Sequence, residues 1–235
     1  MQNLQQSAKS MGLALSHQQL EQFETYWTFL LERNQVMNLT AITEREEVET
    51  RHFLDSLALL QVADLKEKRL IDIGTGAGFP GLPLKIAEPT LELTLLDSLG
   101  KRVTFLEEIC SKLELESVTC VHARAEEWVN QAGARASYDY AASRAVARLN
   151  MLTELALPYL KVGGAFLAMK TSHAEEEIAE ARGAAQKLGG EIEREYDYTL
   201  PGTDGIHRIV VIRKVAETPE QYPRRFARIQ KQPLV

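Results

Sequence analysis

The segment Ile71-Asp72-Ile73-Gly74-Thr75-Gly76-Ala77-Gly78-Phe79-Pro80-Gly81 runs an apolar strand into a glycine-rich turn. Glycine has no Cβ and accepts positive φ, so a cofactor can lie against the bare backbone of such a turn. Read from Gly76, the string is G-x-G-x-x-G, the dinucleotide fingerprint. Read from Asp72, it is D-x-G-x-G-x-G, the more specific form, and suits S-adenosylmethionine (SAM). Gly74, Gly76 and Gly78 would admit the methionine and ribose portions, and Phe79 could pack against the ligand. A second apolar run ends at Asp97, 23 residues after Gly74. That is near the spacing of about 20 residues for a carboxylate that accepts hydrogen bonds from ribose hydroxyls, a role common to NAD and SAM.

These residues need a scaffold. The first 65 residues read as helical, with a capping box at Ser16 and Gln19 and an apolar face of Leu20, Phe23, Trp27, Leu30 and Leu31. Thr43 with Glu46 suggests a second capped helix, carrying His52 and Asp55 three residues apart on one face. From residue 69, strands expected at Arg69–Gly74, Leu91–Asp97, Ser117–His122, Tyr138–Ser143 and Gly163–Lys170 alternate with helices. The helices are expected near Leu82–Ala87, Lys101–Leu113, Leu149–Leu160 and Ala174–Leu188. Such alternation implies a parallel sheet covered on both faces. Two last runs, Glu191–Leu200 and Ile206–Val215, flank a Pro-Gly turn and predict an antiparallel hairpin at the sheet edge. The fold class expected is α/β, Rossmann-like and of the class I SAM-dependent methyltransferase type. Its parts are a helical cap (1–65), a SAM-binding core (66–216) and a basic tail (217–235), forming one structural unit.

Ligands of doubly wound sheets lie at the carboxyl ends of the strands. After the third strand, Ala125 and Glu126 are positioned to read an adenine with a backbone N–H and a carboxylate. After the fourth, Ser143-Arg144-Ala145 puts an arginine at the reaction chamber, suited to a carboxylate or a phosphate. The acidic or amide Pro-Pro-aromatic string of adenine-amine methylation is absent there. Cys110 falls on a helix and Cys120 in a strand, so a cysteine nucleophile is not expected. Guanine N7 suits such a chamber, because its exposed lone pair needs neither base nor nucleophile.

Composition narrows the setting. The chain has 235 residues, 45% hydrophobic and 26% charged, as in ordinary globular proteins. No apolar run approaches the roughly 18 residues of a membrane span, and no secretory leader is read at the N-terminus. Two cysteines without metal spacing and five scattered histidines predict no metal site and a cytoplasmic location. The net charge of −6 argues against indiscriminate coating of nucleic acid.

Taken together, GTGAGFPG, LLDSLGKR and HFLDSL, with Asn38–Ile42, Ser143-Arg144-Ala145 and Tyr222-Pro223-Arg224-Arg225, resemble one family over nearly the whole chain. It is the RsmG (GidB) family of bacterial 16S ribosomal RNA guanine-N7 methyltransferases. The resemblance implies SAM contacts at Gly74 and Phe79, at Asp97, Ser98 and Leu99 around the ribose, at Ala125 and Glu126, and at Arg144. It implies a guanine in the decoding-site loop of the small ribosomal subunit as substrate. The chain departs from the family at its tail. Phe226-Ala227-Arg228-Ile229-Gln230-Lys231-Gln232 stands where relatives continue through Gly and Pro into a lysine pair.

Between Arg213 and Lys231, six basic residues face two acids, a local charge of +4 that suits phosphate contact. Arg224, Arg225, Arg228 and Lys231 are the RNA-binding candidates there, joined by His207 and Arg208 near the hairpin loop. Lys170, His52 and Asp55 are further candidates near the substrate; His52 and Asp55 also read as a polar pair fixing the cap to the core. Nothing marks an oligomer interface, so a monomer is expected. A SAM methyltransferase with a small-molecule or protein acceptor, an NAD-linked oxidoreductase and a SAM-binding assembly factor without turnover are the alternatives.

Overall fold

The computed structural model describes residues 1–144, 147–171 and 174–235. Ala145 and Val146, in the string expected after the fourth strand, lie outside the described residues. Among them a seven-stranded sheet has the order β3-β2-β1-β4-β5-β7-β6. Its strands are β1 (Arg69–Ile73), β2 (Glu92–Asp97), β3 (Val118–His122), β4 (Tyr138–Ser143), β5 (Leu160–Thr171), β6 (Gly190–Tyr198) and β7 (His207–Lys214). Pairings among β1 to β5 are parallel; β7 pairs antiparallel with both β5 and β6. The expected hairpin forms at the edge, and its second strand lies inside its first.

Alternation along the strands feeds two cores. Leu70, Leu93, Leu95, Leu167 and Val211 join one cluster; Ile71, Ile73, Leu96, Phe166 and Ile212 join the other. The first lies under α5 (Gly81–Ala87), α6 (Gly100–Lys112) and the cap helices α1 (Gln2–Ser10) and α2 (His17–Met37). The second lies under α8 (Leu149–Ala156) and α9 (Glu175–Lys187). The short α7 (Ala125–Trp128) follows β3, and α10 (Phe226–Lys231) carries the tail.

Local chemistry sets the boundaries. Ser16 and Gln19 form the expected capping box. Thr43 does not cap. The next helix, α3 (Arg45–Val48), starts after Glu44 with no side-chain cap. Asn34 instead organises the connection, its Oδ1 accepting from the N–H groups of Leu39 and Thr40 at 2.7 and 2.9 Å. α3 runs on through a π-helical turn, Glu49–Leu54, into α4 (Asp55–Leu57). The expected helix to Leu160 ends at Ala156, because Pro158 cannot continue it, and β5 starts at Leu160.

The tail is stapled to the core. Arg135 donates to the carbonyls of Thr218, Pro219 and Tyr222, Asn150 donates to that of Leu234, and Ile229 is buried.

Candidate functional site

The glycine turn leaves β1 at the point where strand order reverses, between β1 and β4. Gly74, Gly76 and Gly78 all have positive φ, of 70°, 62° and 100°. A Cβ at Gly78 would sit 2.6 Å from the Tyr26 hydroxyl and 2.5 Å from Leu82, whereas one at Gly76 would meet nothing within 4 Å. The turn is therefore tight against the cap and open towards the ligand side. Asp72 is fully buried and organises it, Oδ2 accepting from the Thr75 hydroxyl at 2.6 Å and the Gly81 N–H at 2.8 Å. Burial raises its pKa to about 6.

Asp97, at the end of β2, holds the turn from the other side. It accepts from Gly76 N–H and Leu99 N–H, each at 2.9 Å, and Arg102 lies 3.4 Å away. Beside it is a cavity of about 230 Å³ bounded by Gly74, Asp97, Ser98, Ala125 and Glu126, with Leu152 and Leu155 among its apolar walls. The lining combines apolar side chains with two carboxylates, those of Asp97 and Glu126. These five residues are among those the sequence pointed to for the cofactor. Leu99 contributes its N–H to Asp97 while its side chain is exposed. Phe79 does not line the cavity. It is buried, stacked on His52 at 4.5 Å and under the Arg144 guanidinium at 4.9 Å.

A separate chamber of about 350 Å³ is lined by Asp55, Arg144, Lys170, Glu177, Tyr198 and His207, with Met169 and Thr171. Arg144 is its hub, donating to Asp55 Oδ2 at 3.2 Å, to the Arg51 carbonyl at 3.0 Å and to His52 Nδ1 at 3.3 Å. Asp55 Oδ1 accepts from the Tyr198 hydroxyl at 2.7 Å and lies 3.5 Å from His207 Nδ1. Lys170 pairs with Glu177 at 2.8 Å and donates to the Ala147 carbonyl. Burial, then the Arg144 charge, lowers the His52 pKa to about 4, so the ring is neutral near pH 7. Its Nδ1 lies 3.3 Å from Arg144 Nη2 and 3.2 Å from the Arg51 carbonyl, and its Nε2 lies 2.8 Å from Thr40 Oγ1. His52 and Asp55 thus meet through an arginine of the core. The cysteines lie elsewhere, Cys110 on α6 and Cys120 on β3, and the Cys110 thiol is held up by its contact with Cys120 and by burial.

The basic candidates separate by partner. Arg224 is bound through its backbone N–H, Nε and Nη2 to Glu154, which is fully buried. Arg208 is held by Asp197, Glu195 and Glu175. His207 turns into the chamber. Arg225, Arg228 and Lys231 are exposed on the tail. Sequence reasoning missed Tyr198, Glu177 and Glu154; the one signal was Glu154 as the single charge of its helix.

Comparison with known proteins places this geometry. Residues 19–196 match the family model described as GidB, rRNA small subunit methyltransferase G. The chain belongs to this family. It is 48% identical over 231 residues to the ribosomal RNA small subunit methyltransferase G of Lachnoclostridium phytofermentans, covering 98% of this chain and 96% of that protein. Its identity to the Streptococcus pneumoniae protein of the same name is also 48%, over 225 residues, 95% of this chain and 94% of that one. TrmN from Thermus thermophilus shares the fold at a TM-score of 0.55 and 19% identity, over 71% of this chain and 53% of that one. The fold is that of class I SAM-dependent methyltransferases, with β5-β7-β6 as its antiparallel end. Among the described residues no helix is long and apolar enough to cross a membrane, and no group of metal-ligating side chains forms.

Proposed function

We propose that this chain transfers the methyl group of SAM to N7 of a guanine in the decoding-site loop of 16S ribosomal RNA. The observation that carries the reading is the pairing of a nucleoside-shaped cavity with a chamber whose charged groups are internally paired, in a chain of this family. Bound SAM supplies an electrophilic methyl group. Asp97 and Glu126, both in the cavity lining, would hold its ribose and its adenine, and the turn at Gly76 leaves room beside them. Arg144, held by Asp55 and lying over the Phe79 ring, lines the chamber. Tyr198 and His207 offer an aromatic surface for a planar base. N7 loses no proton on attack, so the buried, neutral His52 positions Arg144 rather than moving a proton. Rate then comes from holding acceptor and donor in line.

Arg225, Arg228 and Lys231 contact phosphates and orient the particle. One chain lines both cavity and chamber, which supports a monomer, and a ribosomal RNA acceptor supports a cytoplasmic setting. Labelled SAM incubated with small subunits lacking the modification tests the assignment. Label should appear on one guanine N7 of the decoding-site loop. Binding of SAM without label on RNA would favour a different acceptor or an assembly role.

A further inference from the structure

We infer that Phe226, on the C-terminal tail, closes the nucleoside cavity and stacks on the adenine ring, making the tail part of the cofactor site. This rests on the reading of that cavity as the SAM site.

Six of the seven phenylalanines are buried; Phe226 alone is half-exposed. Its ring lines the 230 Å³ cavity, more than 60 residues along the chain from the nearest other lining residue, Leu155. It also borders an open groove of about 970 Å³, which Arg124, Glu126, Glu127, Arg225 and Gln230 share. Phe226, with Arg124 and Glu126, thus lines both the cavity and the groove beside it. Leu152 and Leu155 also line the cavity, and Glu126 in the same lining is suited to the exocyclic amine of an adenine. A planar ring placed there meets both apolar side chains and an aromatic ring, the kind of surface on which a base stacks.

The ring is held for this role. Two residues before it, Arg224 is locked to Glu154; three residues after it, Ile229 is buried. Both anchors flank the first turn of α10, so Phe226 is pre-positioned and little freedom is lost when a ligand enters. Its half-exposed face is what a ligand would cover.

Binding of SAM, S-adenosylhomocysteine and 5′-methylthioadenosine to the full chain, by calorimetry, tests the inference. Phe226→Ala should raise Kd roughly 10-fold for all three, because each carries the adenine, with the ligand-free melting temperature unchanged. Phe226→Trp should keep the affinity. Its added indole emission, read against the wild-type background of Trp27 and Trp128, should change when S-adenosylhomocysteine binds. A Phe226→Ala protein that melts as wild type and binds all three ligands with unchanged Kd overturns the role of Phe226. So does a loss confined to the two ligands that carry the amino-acid portion. Should Phe226→Ala melt early, the Phe226→Trp emission decides: no change on saturation overturns the role. Failure of the wild type to bind SAM would instead remove the cofactor reading, and this inference with it.

Discussion

His52 is a titrating group at a junction. Its ring stacks on Phe79 and meets Arg144 at Nδ1 and Thr40 at Nε2, so it joins the cap connection, the glycine turn and the end of β4. The folded protein holds its pKa at about 4, below its ordinary value of 6.5. Between those values the unfolded chain binds the proton and the native one does not, so His52 costs stability as pH falls from about 6.5 to 4. Asp72 has the opposite sign. Its folded pKa of about 6 lies above its ordinary value of 3.8, so the native state takes up that proton first and gains as pH falls through the same window. The two slopes oppose in the wild type. His52→Gln removes one of them. Its stability relative to wild type should climb by about 2 kcal/mol between pH 7 and pH 5, read from urea unfolding. Parallel pH profiles for the two proteins would place the His52 proton elsewhere.

The tail shows how one element divides its charges. Arg224 neutralises a fully buried carboxylate, whereas Arg228 and Lys231 face solvent. Arg224→Ala leaves the buried Glu154 without its cation, keeping only the backbone N–H of residue 224, and should cost roughly 3 to 5 kcal/mol in thermal or urea unfolding. The double variant Arg228→Glu, Lys231→Glu should melt as wild type and raise the KM for ribosomal particles several-fold, with kcat nearly unchanged. An unchanged KM would take these residues out of the RNA interface. Local charge counting placed all of them in one basic segment, because a sequence gives sign and spacing but no partner. The same limit applies to Arg208, whose three carboxylates come from β6 and α9. What was legible is what is local. Apolar runs bounded by turn residues gave the strands to within a few residues, and the positive-φ glycines marked the turn by composition alone. The π-helical turn at Glu49–Leu54 and the entry of β7 between β5 and β6 were not legible, since both arise from packing between distant segments.

At the scale of the molecule, distant segments converge at one end of the sheet's strands. Asp55 comes from the cap, Arg144 and Lys170 from strand ends, Tyr198 and His207 from the hairpin. The cap also grips the glycine turn directly, the buried Tyr26 hydroxyl donating to the Ala77 carbonyl at 2.5 Å. Tyr26→Phe leaves that carbonyl without this donor and should cost about 1 to 3 kcal/mol of stability. If the cap sets the shape of the turn, SAM affinity falls with it; calorimetry beside thermal melting separates the two effects. The position of β7 carries one more consequence, for synthesis. β5 is 12 residues long, and its outer edge is covered by residues no earlier than His207. A growing polypeptide therefore carries a long, raw apolar seam until nearly all of it has been made, open to any extended strand nearby. Chains stopped before residue 207 should associate through that seam instead of surviving as smaller, partly working proteins.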